Sequence, residues 1–286
     1  MVALADLFVH LYVLIDDALK DGTVAVPVRP GPAPACSDAE VLTLTLARCL
    51  RGVTSENAWL TQVRADWGHY FPRVPHQSEF NRRTRWLRGA FELLRRHLCD
   101  KVPVDPWQQI DTTALPVMHP SRVRRATGWV GPGELVAGFG RDASHGEWFY
   151  GFRLALRTDL GSRLVRDWEI TAATVDEREA ARDLLDRTPP PAGLLLDRGF
   201  LSQLFHDDMH ARGTIVLLAP GRRERQHPPT QLQRLIAAQR NRIETTNGEI
   251  TENIGLAHHR AHTTWGLQTR TAAALCAHTI HRLGLT

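Results

Sequence analysis

Asp111 lies within the stretch QIDTTALPV and Asp197 ends the run LLLD of LLLDRGF, so each carboxylate is set among residues fit for burial. A lone carboxylate in such a place is costly unless it is hydrogen-bonded, paired or metal-bound. Aspartate also ends strands for a plainer reason, because its side chain caps the turn that follows, and Asp197 is open to both readings. If the two carboxylates sit side by side, they repel until a divalent cation lies between them. A third carboxylate would complete an oxygen cage of the kind that a hard cation such as Mg²⁺ prefers. Glu244 in RNRIETTNGEI is the candidate, since Ile243 precedes it and Arg240 stands one helical turn earlier. Glu249 and Glu252 compete for that place, but neither has an arginine at i − 4. The plain reading of Arg240 is an i, i+4 ion pair worth about 0.3 kcal/mol. The functional reading is that it approaches a phosphate or orients Glu244.

The elements that must position these residues are legible in the hydrophobic pattern. Up to about residue 100 every strong pattern is helical. Leu7, Leu11, Ile15 and Leu19 repeat at helix spacing, and Ser37-Asp38-Ala39-Glu40 is a capping box opening VLTLTLARCL. ENAWLTQVRADW reads as a third helix, and SEFNRRTRWLRGAFELLRRHL, from near Gln77, as a fourth. GTVAVPVRPGPAPAC is a loop. From Val102 the period changes. WQQIDTTALPV, WFYGFRLALRT and RLVRDWEITAAT predict three successive strands, DEREAARDLLDR a helix, AGLLLDRGF a short buried strand, LSQLFHDDMHAR a helix and GTIVLLAP a strand. A helix from about Gln231 to Thr251 follows, and the apolar TAAALCAHTIHRLGL closes the chain. That order predicts an α/β fold, a ribonuclease H-like mixed sheet flanked by helices, behind an N-terminal all-helical domain. The expected domains are 1–100 and 101–286. In such a sheet the first and fourth strands are neighbours, which brings Asp111 and Asp197 together.

At these residues the chain resembles a family. IDTTALPV, LLLDRGF and RNRIETTNGEI look like the three blocks of the DDE transposases of bacterial insertion sequences. WFYGFRLAL, EITAATVDEREAARDLL, SDAEVLTLTLARCLRG and FPRVPHQSEFNRRTRWL are similar to further segments of such proteins, in the right order. The resemblance implies that Asp111, Asp197 and Glu244 hold two Mg²⁺ ions, with Mn²⁺ able to substitute. It implies DNA cleavage and strand transfer, with double-stranded DNA as partner (element ends and target), a homodimer on DNA and an N-terminal domain that binds the ends. The family's last block carries tyrosine, arginine, glutamate and lysine; Arg240 and Glu244 fit it, while Ala237 and Thr251 stand at the tyrosine and lysine positions. Arg153 stands where a lysine is common and keeps the charge. Two other readings stay open: a metal-dependent nuclease of the same fold, and a catalytically inactive, transposase-derived DNA-binding protein. The missing tyrosine and lysine are the motive for the latter, and the intact carboxylates argue against it.

Composition agrees with a large core. The chain has 286 residues, 43% hydrophobic and 23% charged, which excludes disorder and leaves room for one big domain and a smaller one. No run of about 18 apolar residues exists, and the opening MVALADLFVHLYVLIDDALK reads as an amphipathic helix, so the expectation is a cytoplasmic, nucleoid-associated protein with no membrane partner. Cys36, Cys49, Cys99 and Cys276 are scattered singly, which suits buried thiols rather than a disulfide framework or zinc ribbon. The net charge is +4, and its arginine excess favours phosphate. The expected DNA surface is Arg82, Arg83, Arg85 and Arg88 beside Trp86, Arg122, Arg124 and Arg125 in SRVRRAT, and Arg222, Arg223 and Arg225 in GRRERQ. Each cluster taken alone reads as a solvated face. His206 and His210 have zinc-helix spacing but read as a solvated helix face, while His258 and His259 could touch DNA but as a surface pair read as polarity alone.

Overall fold

The computed structural model describes residues 3–123, 129–133, 135–142, 146–219 and 230–285, apart from the side chain of Leu232. The chain forms two compact units, one of residues 103–248 and one in which residues 1–102 join 249–286.

The helical unit contains α1 (Leu4–Lys20), α2 (Asp38–Leu50), α3 (Glu56–Asp66), α4 (Gln77–Trp86) and α5 (Arg88–Asp100). The capping box forms as written: the Glu40 backbone N–H donates to Ser37 Oγ at 3.1 Å, while the Glu40 carboxylate accepts from the Ser37 N–H. The expected fourth helix is two helices, α4 and α5, broken at Leu87. Leu87 is fully buried at the bend, so both halves can turn an apolar face to the core, and Gly89 beside it weakens a continuous helix. The expected domains put the closing helix with the sheet. It packs instead among these helices, against α2 and α5, because residues 271–280 are buried on every side and need a core all round.

The second unit is built on a six-stranded mixed sheet of β1 (Trp107–Met118), β2 (Gly138–Asp142), β3 (Glu147–Asp159), β4 (Val165–Ala172), β5 (Gly193–Leu196) and β6 (Ile215–Leu218). β3 is antiparallel to β1 and β4, while β5 lies parallel to β1 and β6 parallel to β5. The order β4-β3-β1-β5-β6 is the ribonuclease H-like arrangement. β2 is an addition that the residue pattern did not announce. It pairs with the first half of β3, from Glu147 to Gly151, and β4 takes the second half. GFGRD is short and glycine-rich, so only its long partner makes it a strand.

Helices cover both faces. α6 (Glu177–Asp186) and α7 (Gln203–Ala211) bury Ala181, Leu184, Phe205 and Met209 against Ile110, Leu194 and Leu196. α8 (Gln231–Gly248) packs on β1 and β5. Because residues alternate along a strand, Gln109 faces away from Ile110, and its Nε2 donates to Gln239 O of α8 at 3.2 Å. α8 therefore lies on the face opposite α6. All four cysteines are free and buried. Among the described residues no helix is long and apolar enough to cross a membrane.

Candidate active site

The ladder between β1 and β5 sets Trp107 opposite Gly193 and Gln108 opposite Leu194. Carried on at the same offset, this parallel register puts Asp111 level with Asp197, just past the end of β5. Strand alternation puts both on the α8 face, since Ile110, Leu194 and Leu196 all point to the other side. The carboxyl ends of adjacent parallel strands are where α/β folds open a crevice. Asp197 does cap a turn: it precedes the short 3₁₀ turn Arg198–Phe200, and its Oδ1 accepts from the Arg198 N–H at 2.7 Å. Its second oxygen is turned elsewhere. At Gly199, next to it, a Cβ would lie 2.9 Å from Glu177 Oε2, so a larger residue there would displace the end of that side chain.

α8 brings the third carboxylate. Arg242 donates to the carbonyls of Leu160 at 2.8 Å and Gly161 at 3.3 Å, and Arg163 Nε donates to Thr246 Oγ1 at 3.1 Å, so the turn between β3 and β4 holds this helix in place. One turn away, Arg240 Nη2 lies 3.2 Å from Glu244 Oε1 and 3.5 Å from Asp197 Oδ2. The same nitrogen serves both, so Asp197 and Glu244 cannot be farther apart than the sum of those distances. Asp111 is reached from α8 by Asn247, whose Nδ2 donates to Oδ2 at 2.9 Å. Asn247 follows Glu244 by three residues, so the two share a helix face; that spacing is the sequence signal that could have picked it out.

A second carboxylate system lies beside the first and was not anticipated. Thr112 Oγ1 donates to Glu177 Oε1 at 2.9 Å, and Arg153 Nη1 lies 3.6 Å from the same oxygen and 3.4 Å from Thr112 Oγ1. Arg153 also donates to the carbonyls of Arg141 at 2.7 Å and Ala173 at 3.3 Å. Arg153 thus ties β3 to its neighbours and to the first turn of α6, and most of its donors are used within the protein. Glu177 looked in the sequence like an ordinary first-turn acid of a helix.

Electrostatically this is a site short of positive charge. Burial pushes the Asp111 carboxyl up to about 7, the negative charges of Glu177, Asp197 and Glu244 push it further in the same direction, and the Thr112 backbone N–H opposes them. Asp197 and Glu244 are about half exposed, at 53% and 55%. Among the described residues no group of three or more carboxylate, imidazole or thiol side chains is arranged so that it could hold a metal ion. The Arg240 guanidinium is the cation between Asp197 and Glu244. Hard oxygen donors and mutual repulsion at Asp111 are chemistry that suits a hard divalent cation.

The other expected site residues divide. Arg83 is 3% exposed; its Nη2 pairs with Asp38 Oδ1 at 2.7 Å and its Nη1 bonds the Cys36 carbonyl, so it is a structural residue and leaves the DNA surface. Arg83→Ala should lower stability by about 3 kcal/mol, because Asp38 would lose its most buried partner, whereas Arg82→Ala should change it by less than about 0.5 kcal/mol. Equal denaturation midpoints for the two variants would return Arg83 to the surface. Arg82, Arg85 and Arg122 are exposed. Arg88 stacks over Trp265 at 4.4 Å. Arg124, Arg125, Arg222, Arg223 and Arg225 lie outside the described residues. Of the rival carboxylates, Glu249 is engaged by His278 Nε2 at 3.1 Å in the helical unit, and Glu252 is exposed.

Comparison with known proteins places these observations in a family. The model described as the transposase DDE domain matches residues 108–280, more than half of the chain and a span within which Asp111, Asp197 and Glu244 fall. No curated protein matches. Among solved structures, the piggyBac transposase in a synaptic complex with hairpin DNA is 11% identical, with a TM-score of 0.42, and the alignment covers 80% of this chain and 53% of that one. The chain therefore spans about half the length of that relative. The Mos1 transposase in a pre-cleavage transpososome is 13% identical, with a TM-score of 0.26, covering 89% and 82%. By its match to the domain model, the chain belongs to the DDE transposase family.

Proposed function

We propose that this protein is a DNA transposase that cleaves and joins DNA at a two-metal site made by Asp111, Asp197 and Glu244. The observation that supports this most is the β1–β5 register, which levels two aspartates distant in sequence, together with the Arg240 contacts that add Glu244. When bound, a pair of divalent ions, Mg²⁺ or Mn²⁺, lowers the pKa of the attacking water or 3′-hydroxyl and offsets charge on the phosphate and the leaving oxygen. Asp111, on the central strand, would hold both ions, and Asp197 and Glu244 would hold one each. Arg240 would turn from the carboxylates to a phosphate oxygen, for which its planar fork is suited. Glu177, Thr112 and Arg153 would brace the strand beside Asp111. Arg82, Arg85 and Arg122, with Arg124, Arg125, Arg222 and Arg223, would supply phosphate contacts to double-stranded DNA, and two copies would act on a pair of element ends. The N-terminal helices would bind those ends.

The test is a linear DNA carrying the gene and its flanking inverted repeats, incubated with the protein and a target plasmid in Mg²⁺, Mn²⁺ or EDTA. Cleavage at both ends and joining to the target, in either metal and not in EDTA, is the expected result. Hydrolysis without joining would make the protein a nuclease, and tight binding without cleavage would make it a DNA-binding protein only.

A further inference from the structure

Away from the carboxylates, the helical unit contains a polar cleft of about 580 Å³ where the first turns of α3 and α4 meet the segment that precedes the closing helix, α9 (Thr264–Arg282). Arg85, Arg260, His262 and Arg270 line it, with Gln77 and Ser78 from the start of α4. Its one acidic lining residue, Glu56, is already engaged: Arg270 Nη1 lies 2.9 Å from Oε1, and Asn81 Nδ2 donates to Oε2 at 3.2 Å. Among the described residues Arg85 and Arg260 make no ion pair, and both are exposed, as is His262. A smaller recess shares Glu56, Asn81, Arg85 and Arg270 with the cleft and is also lined by Arg48. Arg48 is 7% exposed, and its Nε has no hydrogen-bond partner among the described residues. Arg270 thus pairs with Glu56 in the cleft wall, and Arg85 and Arg260 add two cations that make no ion pair among the described residues. α4 adds to this field, because no side chain caps its N-terminus and its first N–H groups are available to an anion.

We propose that this cleft binds the phosphodiester backbone of DNA, with Arg85, Arg260 and Arg270 as its cationic contacts. The cleft is several times larger than a single phosphate group, and its cations are spread along it, which suits a run of phosphates better than one small anion. The lining offers guanidinium, amide and hydroxyl groups and no broad apolar wall, so it would hold the backbone without reading base sequence. The proposal rests on the reading of the protein as a DNA transposase, but it uses none of the three carboxylates.

The experiment is fluorescence anisotropy of a labelled random-sequence duplex with the full chain, between about 50 and 200 mM salt. The variants are Arg85→Gln with Arg260→Asn; asparagine suits position 260, where φ is 49°. Removing a cation that neutralises one phosphate should reduce the slope of log affinity against log salt by about 0.9, so the double variant should be shallower by about 1.8. Arg260→Lys should keep the natural slope. If the double variant melts below the natural protein, Arg260→Asn alone decides, with half the change in slope. An unchanged slope, in a protein that still binds and cleaves DNA, would overturn this proposal and leave the transposase reading intact. Absence of both DNA binding and cleavage in the natural protein would overturn that reading and this proposal with it. Inorganic phosphate that raises the melting temperature of the natural protein but not of the double variant, with equal DNA slopes, would mark a small-anion site and also overturn it.

Discussion

Asp197→Asn is expected to leave a folded, DNA-binding protein whose Mg²⁺-dependent cleavage falls by about three orders of magnitude or more. One oxygen of Asp197 caps the turn before Phe200, and the amide oxygen of asparagine can accept the same Arg198 N–H. The fold therefore has little reason to notice the change. The other oxygen faces Arg240 and, through it, Glu244. In the proposed site the substitution deletes one of the three negative charges that hold the ions, and metal assistance is worth several kcal/mol, with each 1.36 kcal/mol a factor of ten in rate. A melting curve, anisotropy with duplex DNA, and a cleavage and joining assay on the same preparations separate the two roles. Near-normal cleavage by Asp197→Asn would reduce this residue to a turn cap and remove it from the site.

Asp111 should make the metal-free protein less stable as pH rises. An unperturbed aspartate titrates near 3.9, while burial and neighbouring carboxylates push Asp111 in the folded chain up to about 7. The proton is therefore held more tightly in the folded state. Below about pH 4 both states are protonated and this group does not affect stability. Between about 4 and 7 the unfolded chain gives up its proton first, so folding loses stability as pH rises. Above about 7 the loss is constant, on the order of 4 kcal/mol. Asp111→Asn removes that titration; it should match the natural protein near pH 4 and melt several degrees above it at pH 8 in EDTA. Added Mg²⁺ should reverse the ranking at pH 8, because the natural carboxylate is then free to bind an ion that the amide binds poorly. Near pH 5.5 the ion must compete with a proton, and its stabilising effect should be much smaller. Parallel melting curves for the two proteins across pH, with no response to Mg²⁺ in either, would show that Asp111 is neither destabilised by its neighbours nor a metal ligand.

What was legible in the sequence were the features carried by local pattern. Period-two and period-3.6 hydrophobicity marked β1, β3 to β6 and the helices, and the capping box at Ser37 closed as written, because these signals are read by the backbone of a few consecutive residues. The carboxylates stood out because an acid among buried residues requires a reason. Tertiary structure alone decided the rest. Arg83 was indistinguishable from Arg82 in a run of arginines until Asp38 and the Cys36 carbonyl, forty-odd positions earlier in the chain, were found to claim it. GFGRD became β2 only because β3 is long enough to pair with two strands on one side. Glu177 joined the site through Thr112, a contact between two elements that no spacing within either announces; Asn247 carried only its spacing from Glu244, and its bond to Asp111 came from packing. The closing helix packs among helices that precede the sheet, since a segment apolar on all sides needs to be surrounded and its sequence does not say by what. Local chemistry is encoded locally; which distant group satisfies a charge, a strand edge or an apolar face depends on the register and packing of the whole chain, and those are set only when it folds.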